Sequence, residues 1–82
     1  MQYFSLIGTQ WREKCKMAER HLDLGEDLLR RARPAEAERH FRRAVSAAPR
    51  ESVAYQLLSI ALASLSRLAE AEVVQQAAVR LV

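Results

Sequence analysis

From Thr9 to Arg31, apolar or small residues return every three or four positions, at Trp11, Cys15, Ala18, Leu22, Gly25 and Leu29. That spacing stacks them on one face of a helix, and Thr9, following Gly8, is placed to cap it. Pro34 stands where a second helix would begin, since its missing N–H costs nothing there. This helix carries Ala37, Phe41, Ala44, Val45 and Ala48 on one side. It stops before Pro49, which disfavours helical geometry in the residue ahead of it. Ser52 is the next expected cap, opening a third helix with Val53, Leu57, Ile60, Ala61 and Leu65. Leu68 to Leu81 form a fourth, after a weaker break near Ser64–Arg67. The expected fold class is all-α, with four or five helices.

A shift of the chain along itself by 34 residues sharpens this picture. Arg33-Pro34-Ala35-Glu36-Ala37-Glu38 falls on Arg67-Leu68-Ala69-Glu70-Ala71-Glu72, identical at five of six positions. Leu24 falls on Leu58, Leu28 on Leu62, Ala44 on Ala78 and Val45 on Val79. Similarity at a fixed period of this length is a signature of stacked helix–turn–helix units.

The residues at these positions resemble the tetratricopeptide repeat. A first unit, residues 18–51, has Leu24-Gly25, Leu28, Ala37, Phe41, Ala44 and Pro49 at the family's spacing. It departs at His21, where a large apolar residue is usual. A second unit, residues 52–82, has Tyr55, Leu58-Ser59, Leu62, Ala71 and Ala78, and departs at Gln75, where an aromatic is usual. The resemblance covers 65 of 82 residues and leaves 1–17 as an N-terminal arm and helical extension of the same domain. It implies antiparallel helix hairpins in an α-α superhelix, with Gly25, Ala37 and Ala44 where two backbones approach closely. An antiparallel four-helix bundle with coincidental alanine spacing is the alternative architecture.

The resemblance also implies a concave groove lined by the first helix of each unit. Carried over by position, it comprises Glu19, Leu22, Glu26, Leu29 and Arg30 from unit one, and Val53, Gln56, Ile60 and Ser64 from unit two. The Lys and Asn residues with which some members clamp a peptide carboxylate are absent. Leu, Val and Ile flanked by Glu suit an apolar, basic peptide or helix. The alternative is that these side chains pack on the N-terminal arm or on a second copy. Two units are fewer than a stable stack usually needs, and the last helix is apolar around much of its girth. Val73, Val74, Ala77 and Leu81 are therefore the expected interface of a homo-oligomer or an obligate complex. The segment with Tyr3, Phe4, Leu6, Ile7 and Trp11 is likewise too apolar to hang in water. The function implied is a chaperone, adaptor or assembly factor, with a self-assembling structural unit as the alternative.

Composition narrows the chemistry. Half of the residues are hydrophobic but only 6% are aromatic, so the core must be built from Leu, Val and Ala. The net charge of +3 is unevenly laid out: residues 18–27 set four carboxylates against Arg20, and residues 28–50 set seven arginines against Glu36 and Glu38. Arg39, Arg42 and Arg43 share a helix face and form a basic patch that offers nucleic-acid binding as a further alternative. No aromatic is interleaved to stack on bases. Cys15, His21 and His40 are the only soft metal ligands, spread over two helices, so neither a metal nor another cofactor is expected. His21 reads as a neutral, half-buried replacement for a large ring, and Cys15 as a small core residue. No phosphate-binding loop or catalytic motif is present, and an enzyme is not expected. The start lacks a basic signal region, no run could span a bilayer, and a single cysteine fits a cytoplasmic location.

Overall fold

The computed structural model describes the backbone of residues 2–81 and the side chains of residues 12–81. Among these residues it holds four helices and no strand: α1 (Gln2–Arg30), α2 (Pro34–Ala47), α3 (Ser52–Ser64) and α4 (Leu68–Arg80). Helix α2 packs on α1, α3 on α2 and the flank of α1, and α4 on α3.

The prolines set their boundaries as expected. Pro34 is the first residue of α2, and α2 closes at Ala47, with the Ala48 N–H donating to the Ala44 carbonyl ahead of Pro49. Two expected caps are corrected. Thr9 lies inside α1, which runs on through Gly8 to Gln2, and α3 is capped by Glu51 without a side-chain bond, Ser52 being its first residue. A single helical glycine costs only about 1 kcal/mol, too little to end a helix. The N-terminal extension is thus the continuation of α1. At 29 residues α1 is about twice as long as the 14-residue α2. The side chains of Tyr3, Phe4, Leu6, Ile7 and Trp11 lie outside the described ones, as does Val82.

Both hairpins close in the same way. The Ala32 N–H donates to Leu29 O (3.0 Å) and the Arg33 N–H to Leu28 O (2.8 Å). At the matching turn, the Ser66 N–H donates to Ala63 O (3.0 Å) and the Arg67 N–H to Leu62 O (2.9 Å). This is the Schellman pattern, and its left-handed residue is usually glycine. Here Ala32 and Ser66 hold that place at φ of 60° and 62°. The 34-residue period therefore exists in the backbone as well as in the letters.

The core is mostly alanine. Among the described residues, eight of the eleven buried apolar ones are Ala, and Phe41 and Leu62 are the largest side chains wholly buried. Small residues let helix axes approach to the short end of their usual range, about 8 Å. At Gly25 an added Cβ would fall 2.7 Å from Phe41 Cζ and 2.8 Å from its Cδ1. Leu58, Ala61 and Leu62 of α3 and Ala71 of α4 share the cluster around this ring.

Exchanging glycine and alanine at two positions should therefore act in opposite directions. Gly25→Ala should destabilise by about 1–3 kcal/mol through overpacking, with partial recovery when Phe41→Leu is added. Ala32→Gly should stabilise by about 1 kcal/mol by relieving the left-handed strain. Urea midpoints of the purified variants check both signs.

Candidate protein-binding surface

Helices α1 and α3 flank a depression of about 300 Å³, whose lining includes Cys15, Ala18, Glu19, Leu22, Ala48, Glu51 and Val53. Ala18 and Ala48 are buried at its base, and Val53 is 43% exposed. Glu19 and Glu51 are its only charged lining residues. Three of the expected groove residues, Glu19, Leu22 and Val53, thus come together. Cys15 is half-buried on this surface and free, where a place in the core was expected.

The other expected groove residues disperse. Leu29 packs half-buried against the core cluster, as Leu22 also does on its inner side. Glu26 is exposed. Arg30 reaches back to Asp27 at 3.7 Å. Ser64 donates its hydroxyl to the Ile60 carbonyl (3.0 Å), an intrahelical bond. Gln56 and Ile60 line a second depression at the α3–α4 end, with Gln75 and Val79. Of the expected interface, Val73 and Leu81 are well exposed and Ala77 is half-buried. Val74 is half-buried and packs against the core cluster.

Of the arginine patch, only Arg42 forms an ion pair among the described residues. Arg39, Arg42 and Arg43 are exposed as expected, but Arg42 Nε sits 2.8 Å from Glu38 and its Nη2 3.6 Å from Glu70. Arg67 completes the cluster, 2.7 Å from Glu38 and 2.6 Å from Glu70, and so ties the second hairpin to α2. The Arg67 hydrogen bond holds the Glu70 carboxyl below its usual value, and the same bond raises Arg67. Arg31 and Arg33 are also paired, with Asp27 and Glu36.

One pairing escaped the sequence. His21 Nδ1 lies 3.1 Å from His40 Nδ1, with ring centroids 5.3 Å apart. One ring donates its N–H and the other accepts, so the bond is lost when both are protonated. Burial is the main cause that lowers the His21 pKa, helped by His40, Arg43 and Arg20. His21 is therefore half-buried and biased to the neutral form, as its place in the repeat suggested. The signal was available, since one hairpin turn brings the two helices side by side. No metal-holding group of three or more His, Cys, Asp or Glu occurs among the described residues, and no helix there is long and apolar enough to cross a membrane.

No family model, curated protein or solved structure matches the chain.

The His21 shift fixes the sign of a pH effect. An unfolded chain binds its proton first as pH falls, so the stability present above about pH 6.5 declines below it. The urea midpoint should drop between about pH 7.5 and pH 5.5. His21→Tyr, which copies Tyr55 of the second unit, should flatten that drop.

Proposed function

We propose that the chain is a small protein-interaction module of tetratricopeptide-like build. It acts in the cytoplasm as a chaperone, adaptor or assembly factor, and it does no chemistry on its partner. Its partner is an apolar peptide or helix with basic flanks, held between α1 and α3. The observation that carries this reading is a floor of Ala18, Leu22, Ala48 and Val53 with Glu19 and Glu51 as the only charges on the lining. An aliphatic side chain buried on that floor contributes about 1.5–3 kcal/mol. The carboxylates select the sign of its flanks and speed encounter more than they add affinity. The shared period of the two hairpin turns supports the repeat reading. Nucleic acid is the weaker reading, because Arg42, in the middle of the basic patch, is engaged by two carboxylates.

The test uses two helical peptides with the same leucine face, one carrying lysines on its other face and one glutamates. By fluorescence anisotropy the lysine peptide should bind at least about tenfold more tightly, about 1.4 kcal/mol. Glu19→Lys with Glu51→Lys should erase the preference at unchanged helicity. Equal affinity for both peptides would refute the proposal.

A further inference from the structure

The positions against which α3 packs on the first hairpin have counterparts on the second that surround one depression. Ala54, Leu58, Ala61 and Leu62 of α3 lie in clusters that include Leu22, Leu29, Ala37, Phe41, Ala44 and Val45. Moved on by the 34-residue period, those six become Gln56, Ala63, Ala71, Gln75, Ala78 and Val79. All six line one depression of about 440 Å³ at the α3–α4 end, and none is charged. The acceptor of the ionic link has a counterpart too. Glu38, which receives Arg67, becomes Glu72, an exposed residue that forms no ion pair among the described ones.

The opposite end of the molecule does not fit this seat. Leu58 and Leu62 of α3 correspond to Leu24 and Leu28 of α1, but Ala54, Ala61 and the flanking Leu57 correspond to Arg20, Asp27 and Asp23. Ala61 is fully buried in its seat. A second copy stacked by the same operation would bring Asp27, with its Arg30 and Arg31 partners, to the slot that the Ala61 methyl fills, where the carboxylate loses its water.

We propose that the α3–α4 end docks a helical hairpin of another protein. The docking helix is small and apolar, and an arginine at the hairpin turn reaches Glu72. Arg20, Asp23 and Asp27 keep the molecule from being its own partner. Gln56 and Gln75, standing where the first seat has Leu22 and Phe41, favour a guest that offers hydrogen-bonding groups at those points. This surface is separate from the α1–α3 depression and does not depend on its reading.

The experiment supplies the guest from the chain itself. Arg20→Ala, Asp23→Leu and Asp27→Ala in the full chain give α1 the face of α3, and circular dichroism confirms that the variant is folded. In sedimentation velocity its mean mass should climb continuously with concentration, as a head-to-tail contact that does not close requires. Adding Gln75→Arg blocks the seat and makes a guest-only form. That form should stop growing yet bind wild type in a 1:1 complex. Asp27→Ala alone in the guest-only background is the second probe, expected to bind wild type more weakly than the triple change. A folded triple variant that does not grow, or growth indifferent to Gln75→Arg, overturns the proposal. So does open-ended head-to-tail growth of wild type, which would show that Asp27 is no barrier.

Discussion

The seating of the Phe41 ring on Gly25 is the constraint from which the rest of the packing follows. Among the described residues it is the bulkiest wholly buried side chain, and its ring lies against the Gly25 backbone. With that ring fixed, the alanines one turn away on α2, Ala37 and Ala44, are the buried residues that complete the face. Leu58 and Leu62 then share the ring's cluster from α3, so one side chain organises both hairpins. The second unit shows the same logic with its parts removed. Ser59 replaces the glycine and Gln75 the ring, and Ser59 satisfies its hydroxyl on the Gln56 carbonyl at 2.7 Å. A side chain is tolerated at position 59 because no ring has to sit on it.

Much of the architecture was legible because its determinants are local. Pro34 and Pro49 mark ends through a missing N–H and a steric bias on the preceding residue, and the 34-residue shift marks the repetition. What escaped was decided by partners rather than by neighbours. The turn at 65–67 carries neither proline nor glycine, so its left-handed Ser66 follows from two backbone hydrogen bonds and not from residue preference. Gly8–Thr9 resembles a boundary on propensity alone, yet α1 passes through it. Val74 looked like surplus apolar surface, but its packing against the core cluster depends on the rotation of α4 about its axis. The site was legible in part for the same reason. Glu19 and Leu22 follow from the repeat, whereas Glu51 is in the loop before α3 and joins them only once α3 is docked.

Charge shows most clearly how a linear reading misleads. Counted along the chain, residues 28–50 are strongly basic. In space, Asp27 draws Arg30 and Arg31, Glu36 draws Arg33, and Glu38 and Glu70 draw Arg42. Most of these pairs are three or four residues apart on exposed surface, where each contributes little stability. Their consequence lies in the surface field, since a paired arginine has less to offer a phosphate. Carboxylates at the α1–α3 depression are not matched in this way: Glu19 and Glu51 form no ion pair among the described residues.

An alanine-built core also governs what kind of recognition this surface can offer. When helices approach closely there is little room for deep pockets between them, and alanines stand in the lining of both the α1–α3 and the α3–α4 depressions. A shallow seat cannot discriminate by volume, because an extra methylene on a guest finds space at the rim. Discrimination must then come from what a guest may not carry, namely a charge of the wrong sign at the rim or any charge at the floor. The chain applies that rule to itself through Asp27, whose equivalent in α3 is the fully buried Ala61. On the docking proposal, Asp27 acts with Arg20 and Asp23 to separate the interface that builds the molecule from the surface that would otherwise repeat it.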